Sequence, residues 1–171
     1  METFLEQSKK LTITSRAVYS SALGRAEKYL NEIFGYQKTL FMNTGVEGGE
    51  SAIKIARRWG YVKKGVEENQ ATVLFAKGNF WGRTIAACAS SDDPERYQQF
   101  GPFNGLNFKL IDFGSEKALE DELKSNKNVV GFMVEPIQGE KGVVIPPDGK
   151  NHFSQVISRG PMSCARNITL C

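Results

Sequence analysis

Ala71-Thr72-Val73-Leu74-Phe75-Ala76 is the stretch of sequence that decides the fold. It is uncharged along its whole length and contains β-branched and aromatic residues, a pattern typical of a strand buried on both faces. Phe108 to Phe113 and Val129 to Val134 are predicted as two further strands. Helical segments separate the strands, and parallel neighbours require such crossover connections. The sequence therefore predicts an α/β domain with a mostly parallel sheet and flanking helices.

The helices are predicted from the spacing of their apolar residues. Apolar side chains recur at helical intervals from Ser15 to Phe34, with charged residues between them. A second helix is predicted from about Val46 to Lys64. The apolar residues expected on one face of this second helix are Ile55, Trp59 and Val62. A third, shorter helix is predicted from Ser115 to Lys124.

The remaining segments are predicted to be less regular. Thr39 to Met42 is apolar enough for a short strand, and Ser91 to Asn107 is predicted as a long loop because it contains prolines, glycines and polar residues. From Lys150 to Cys171 neither a strand period nor a helix period is present. His152 lies in that tail without other ligands at metal-binding spacing, so no metal site is predicted.

Composition excludes several classes of protein. The chain has 171 residues, 40% of them apolar, and a net charge of +3 from 22 basic and 19 acidic residues. The basic residues are scattered, so no nucleic-acid partner is expected. The longest apolar run, Val129 to Val134, is too short for a membrane span. The cysteines Cys88, Cys164 and Cys171 lack the density of a disulfide scaffold, which favours a reducing compartment.

Ligands of parallel α/β sheets bind beyond the carboxyl ends of the strands, so the segments that follow the predicted strands are the candidate sites. The first, Asn43 to Glu50, places small residues at a helix start, where unpaired N–H groups and the helix dipole attract a phosphate. The same pattern also fits an ordinary capped turn, with Thr44 or Asn43 as the N-cap.

The other two candidate segments carry aromatic and charged residues. Phe80 and Trp81 either present a flat face to a planar ligand or pack beneath their loop. Arg83 either pairs with a carboxylate or extends into solvent. Glu135 ends an apolar strand and therefore requires a partner, whereas Glu140 faces either a pocket or water.

Four motifs in the same order give the sequence a family resemblance. They are Met42 to Glu47, Gly78 to Thr84, Phe100 to Phe103, and Val134 to Glu140. Together they resemble the class III pyridoxal-phosphate aminotransferases, and within that class the ornithine δ-aminotransferase group. The resemblance is colinear from about Leu11 to Gly149. It implies part of the large, cofactor-binding domain of a fold-type I pyridoxal-phosphate (PLP) transferase.

The resemblance also implies roles for individual residues. The residues that it assigns to the cofactor are Thr44, Gly45, Val46, Phe80, Trp81 and Glu135. Among these, Gly45 and Val46 supply backbone amides to the phosphate, and Phe80 stacks on the pyridine ring with Trp81 beside it. Arg83 is expected to bind a substrate carboxylate, and Glu140 is expected to gate the two half-reactions.

The sequence departs from the family after Gly149. We therefore expect residues 1–149 to be a partial PLP-binding domain and residues 150–171 to be a divergent tail. The resemblance implies that the Schiff-base lysine and the aspartate that protonates the pyridine nitrogen are missing here, so we expect no catalytic residue in this chain. The lysines that lie outside the family's Schiff-base motif are Lys54, Lys77, Lys141 and Lys150.

Three functions are compatible with these patterns. The first, implied by the resemblance, is an ornithine aminotransferase, which moves the δ-amino group of ornithine to 2-oxoglutarate and gives glutamate semialdehyde and glutamate. We expect this chain alone to be inactive. The second is a truncated, non-catalytic isoform that misfolds or pairs with full-length subunits, and the third is an unrelated phosphate-binding module. The family implies a homo-oligomer in the mitochondrial matrix or cytoplasm, and no targeting leader follows Met1.

Overall fold

The computed structural model of the protein describes residues 1–15 and 17–146. The chain divides into two compact units, Met1–Phe41 and Met42–Cys171. The predicted irregular tail, with His152, Cys164 and Cys171, lies outside the described residues, and so does the domain boundary predicted at Gly149.

The first unit contains two helices. They are α1, Glu2–Ser8, which the sequence analysis did not predict, and α2, Ser21–Phe34. The predicted helix from Ser15 is confirmed but begins later, because Ser20 is extended and its side chain accepts a hydrogen bond from the N–H of Leu23. Gly35 ends α2 in the left-handed conformation, at φ +71°.

The predicted strand at Thr39 to Met42 is wrong. These residues form no strand, and the described sheet consists of three other strands. The Thr39 hydroxyl donates a hydrogen bond to Asn31 Oδ1 over 2.7 Å. A local side-chain contact of this kind ties the segment to the end of α2, whereas strand structure depends on a neighbouring backbone.

The second unit begins with helix α3, Gly45–Trp59, which continues into a π-helical segment, Gly60–Lys64, and ends at Gly65 with φ +76°. The predicted helix from Val46 to Lys64 is therefore confirmed. Of its predicted apolar face, Trp59 packs against the core, whereas Ile55 and Val62 are 46% and 63% exposed.

The buried face of α3 is made mostly of small residues. A Cβ atom on Gly60 would lie 2.3 Å from Val130 Cγ1, and one on Gly131 would lie 3.4 Å from Ala56 Cβ. Ile53 is the large buried side chain on this helix. Small residues let the helix lie close to the sheet. A buried face made of small residues is not visible in the spacing of large apolar residues.

The sheet has three parallel strands in the order β2-β1-β3. They are β1, Thr72–Ala76; β2, Phe108–Ile111; and β3, Val129–Met133. The central strand, β1, is buried almost completely. The predictions of these three strands and of a parallel α/β fold are thus confirmed, whereas the strand predicted at Thr39 to Met42 is not formed.

The two faces of the sheet have separate cores. Val73 and Phe75 of β1 pack with Ile53 of α3 on one face. Leu74 points to the opposite face, because side chains alternate along a strand. There it packs with Leu119 of α6, which spans Glu116–Ser125. Helix α6 confirms the helix predicted from Ser115.

Two short helices lie between β1 and β2. They are α4, Ile85–Ala89, and α5, Pro94–Tyr97. The predicted loop from Ser91 to Asn107 therefore contains one helical turn. Asp93 caps α5 by accepting a hydrogen bond from the N–H of Glu95, and Pro94 occupies its first turn. Four residues are too few to show a helical period in the sequence.

Candidate cofactor-binding site

The first turn of α3 is closed by a reciprocal pair of side chains. Thr44 Oγ1 accepts from the N–H of Glu47 over 3.2 Å. Glu47 Oε2 in turn accepts from the N–H groups of Asn43 and Thr44, over 2.8 and 3.2 Å. This arrangement is a capping box. The alternative that Thr44 is an ordinary N-cap is therefore correct as a description of the helix start.

The capping box leaves two N–H groups without an acceptor. The first N–H groups of a helix have no partner within it. The side chains use those of Thr44 and Glu47, whereas in the described parts of the chain no hydrogen bond uses those of Gly45 or Val46. Two adjacent amides at the positive end of a helix dipole fit a phosphate group.

The loop that follows β1 lies against this helix start. Gly82 has a φ of +149°, and a Cβ atom on it would lie 2.4 Å from Val46 Cγ2. No larger residue fits between the loop and the Val46 side chain. The structure therefore brings together two of the three segments that the sequence indicated.

Trp81 packs beneath this loop. A Cβ atom on Gly49 would lie 2.7 Å from its ring, and the ring stacks on Phe75 with centroids 5.9 Å apart. Its Nε1 donates to Ser90 Oγ over 2.7 Å. These are the contacts of a residue that joins α3 to β1, so a direct contact of Trp81 with a cofactor stays a prediction.

The ring of Phe80 has a different environment. It is half-buried, and two guanidinium groups lie near it: Cζ of Arg83 is 5.4 Å and Cζ of Arg96 is 4.7 Å from the ring centroid. Both distances fit a cation–π contact. Phe80 thus offers an aromatic ring at the carboxyl end of the central strand.

Glu135 joins the third segment to the second. Its Oε1 accepts from the N–H of Phe80 over 3.1 Å, and its Oε2 accepts from the N–H of Gly139 over 3.2 Å. The prediction that Glu135 requires a partner is confirmed. Each carboxylate oxygen holds one loop, so the side chain fixes both loops at the same edge of the sheet.

The two predicted substrate-binding residues are exposed. Arg83 makes no ion pair in the described residues, although its guanidinium lies near the Phe80 ring. Glu140 is also exposed, and among residues 1–15 and 17–146 no hydrogen bond or ion pair joins it to the other predicted site residues. Glu140 is nevertheless next to Gly139, whose N–H donates to Glu135, so it lies on a loop at the same edge of the sheet.

Buried polar residues that were not predicted from the sequence support the site. Asn79 donates from Nδ2 to the carbonyl oxygens of Ala76 and Ser90, over 2.8 and 2.7 Å. Gln138 donates from Nε2 to the carbonyl oxygen of Lys77 over 2.7 Å. A polar residue just beyond an apolar strand was the available signal for Asn79, because a polar group at that depth requires partners.

Lys77 lies at the same edge of the sheet. Lys77 Nζ is 2.7 Å from Asp112 Oδ1. The hydrogen bond to Asp112, together with the charge of that carboxylate, raises the pKa of Lys77 above its usual value. Lys77 is thus a partly exposed lysine in an ion pair with Asp112, and its place outside the catalytic residues stays a prediction.

The fold is an α/β domain with a parallel sheet, and the start of α3, with its two unused amides, lies against the loop that follows the central strand. The class-III aminotransferase family model matches residues 1–159. The chain therefore belongs to the class-III aminotransferase family, whose members depend on PLP.

The individual relatives are ornithine aminotransferases. The chain is 56% identical over 144 residues to "Ornithine aminotransferase, mitochondrial" of Drosophila ananassae, which covers 84% of this chain and 33% of the relative. The corresponding protein of Rattus norvegicus is 52% identical over 149 residues, with coverage of 87% and 34%. The chain thus spans about a third of the length of these relatives.

Solved structures show the same fold. The ornithine aminotransferase of Toxoplasma gondii ME49 matches with a TM-score of 0.85 and 42% identity, over 98% of this chain and 38% of that chain. The acetylornithine aminotransferase of Elizabethkingia anophelis matches with a TM-score of 0.72 and 39% identity, over 98% and 39%. These matches confirm the expectation that the chain has part of the fold of a PLP-dependent aminotransferase.

Proposed function

We propose that this chain forms the phosphate- and ring-binding part of an ornithine aminotransferase. The observation that carries the proposal is the pair of unused amides of Gly45 and Val46, held against the loop of Phe80 by the contact between Val46 and Gly82. The amides would take the PLP phosphate next to the Thr44 cap. The ring of Phe80, with Trp81 beneath its loop, would take the pyridine ring.

PLP, when bound, carries the amino group between the two substrates. The residues of this chain bind and orient it. Glu135 keeps Phe80 in place through the Phe80 amide. Arg83 is an exposed cation without an ion pair in the described residues, so it is available to a substrate carboxylate. We assign Glu140 to the gating role that the family resemblance implies.

The whole protein would transfer the δ-amino group of ornithine to 2-oxoglutarate and release glutamate semialdehyde and glutamate. The support is the ornithine aminotransferase relatives, of which this chain spans about a third. We further propose that the whole protein forms a homo-oligomer. We also propose that it lies in the mitochondrial matrix, since two of these relatives are described as mitochondrial. No helix within residues 1–15 and 17–146 is long and apolar enough to cross a membrane.

Pyridoxine 5′-phosphate provides a direct test of the phosphate site. It has an alcohol in place of the aldehyde, so it does not react with surface lysines. We expect the full 171-residue chain to bind it more tightly than pyridoxine in equilibrium dialysis. Gly45→Pro removes one proposed phosphate donor at the first helical position, where proline is well tolerated, and should weaken binding about tenfold or more.

The matched control is Ser21→Pro, which makes the same change at the first residue of α2. This variant should bind pyridoxine 5′-phosphate as the unchanged chain does. Equal affinity for pyridoxine and its phosphate, or equal loss in both proline variants, would contradict the proposed phosphate site.

A further inference from the structure

Arg96 makes three contacts at the edge of the proposed site. Its Nε lies 3.3 Å from Asp93 Oδ2, and its Nη1 donates to the carbonyl oxygen of Asn79 over 3.4 Å. Its Cζ lies 4.7 Å from the centroid of the Phe80 ring. The side chain therefore reaches from α5 to the loop that follows β1.

Arg96 differs from the other cation near this ring. Arg83 is exposed and has no ion pair in the part of the chain that the structure describes. Arg96 is paired with Asp93, and its side chain is 31% exposed. Its guanidinium is thus held by a carboxylate and a carbonyl oxygen on one side and by the aromatic ring on the other, which leaves it less free than Arg83 to meet an incoming anion.

Phe80 is fixed at its backbone by Glu135. That hydrogen bond leaves the torsions of the side chain unrestrained. Within residues 1–15 and 17–146 the ring has no aromatic stacking partner, and the side-chain cations near it are Arg83 and Arg96. Arg96 is the cation whose own position is fixed, so it is the one able to set the plane of the ring.

We propose that Arg96 is a positioning residue that holds the Phe80 ring in the orientation that stacks on the cofactor. This inference rests on the proposed function, because it assigns the purpose of the ring to PLP binding. The two arginines then have separate tasks: Arg96 orients the ring, and Arg83 remains available to the substrate.

The first test compares affinities for pyridoxine 5′-phosphate. Arg96→Met keeps an unbranched side chain but removes the cation, and we expect it to weaken binding roughly two- to fivefold. Arg96→Lys keeps a positive charge and should recover part of the loss. In a Phe80→Leu background Arg96→Met should cause no further loss, because the ring through which Arg96 acts is gone. The control is Arg58→Met, an exposed arginine of α3.

The second test needs no cofactor. We expect the amides of residues 78–84 to exchange faster with deuterium in Arg96→Met than in the unchanged chain. Their exchange should be unchanged in Arg58→Met. In a Phe80→Leu background, Arg96→Met should not change their exchange rate. Circular dichroism verifies folding, and if Arg96→Met does not fold, the same comparisons are made with Arg96→Gln, which also removes the cation.

The outcomes separate the two proposals. If the unchanged chain does not bind pyridoxine 5′-phosphate, the proposed function fails. The exchange measurements then decide by themselves whether Arg96 restrains the loop through the Phe80 ring. If the effect of Arg96→Met is the same with and without the Phe80 ring, Arg96 is a structural residue and the positioning role is overturned.

Discussion

The backbone N–H of Phe80 donates a hydrogen bond to Glu135 Oε1 over 3.1 Å, across 55 positions of the sequence. The two residues follow β1 and β3, which are neighbouring parallel strands. Strands that run in the same direction place their carboxyl ends at one edge, so residues far apart in sequence meet there. The second carboxylate oxygen holds the N–H of Gly139.

Glu135→Gln should loosen both loops. Glutamine offers one carbonyl oxygen where the carboxylate offers two, so one amide loses its acceptor. We expect the free energy of unfolding to fall by about 1–2 kcal/mol, measured by urea denaturation, with faster amide exchange at Phe80 or Gly139. Glu140→Gln is the control, because that side chain is exposed, and it should change stability by less than about 0.5 kcal/mol. Equal effects of the two substitutions would contradict the role of Glu135.

Gly82→Ala should separate the loop from α3. The added Cβ would lie 2.4 Å from Val46 Cγ2, and the φ of +149° is strained for alanine. We expect a loss of about 1–3 kcal/mol in stability together with weaker binding of pyridoxine 5′-phosphate. Gly24→Ala in α2 is the control, because its Cβ would meet nothing within 4 Å and Gly24 is outside the proposed site. A stable Gly82→Ala variant with unchanged affinity would show that this contact does not shape the site.

The stability of the second unit should depend on pH through Glu122. Burial raises the pKa of this carboxyl group, but hydrogen bonds from Lys109 and Asn126 and the charge of Lys109 lower it more, so the pKa lies below its ordinary value of 4.5. A depressed folded-state pKa gives stability that is present above the ordinary value and is lost as the pH falls through the folded value.

Glu122→Gln should therefore cost about 1–2 kcal/mol at pH 7, and the difference from the unchanged chain should shrink below the ordinary glutamate pKa. Urea denaturation at a series of pH values measures this. Glu120→Gln on the same helix removes an exposed pair with Lys124 and should cost no more than about 0.5 kcal/mol. A penalty for Glu122→Gln that is constant down to pH 3 would rule out this linkage.

The 171-residue chain alone should show no transamination of ornithine and 2-oxoglutarate above background. The resemblance assigns the Schiff-base role to none of its lysines. Borohydride reduction in the presence of PLP, followed by peptide mass spectrometry, should find no single preferred lysine adduct. A turnover rate that Arg83→Ala abolishes would overturn this expectation.

The sequence predicted the parts of the fold that depend on local pattern. The buried strand from Thr72 to Ala76 carries its signal in its own residues, because a strand covered on both faces contains no charge. The segment from Thr39 to Met42 has a similar apolar character but no strand beside it in the described sheet. Whether an apolar run becomes a strand depends on a partner that the run itself does not specify.

The site residues also divide into those that the sequence predicted and those that it did not. Glu135 was identified because a carboxylate at the end of an apolar strand requires donors. Arg96 was not identified, because its contact with Phe80 depends on how a single turn of helix returns to the edge of the sheet. No spacing in the sequence indicates that contact. Trp81 was assigned beside Phe80; its ring packs against Gly49 and Phe75, and its contact with the cofactor stays a prediction.

The contact between Gly82 and Val46 also has a consequence for the energetics of binding. It ties the donors of the α3 helix start to the aromatic loop, and the ring of Trp81 fills the space between that helix and the central strand. The entropy of ordering these segments is thus lost when the chain folds and not when a ligand arrives. A ligand that spans both surfaces meets a preorganised site, and more of its interaction energy appears as affinity.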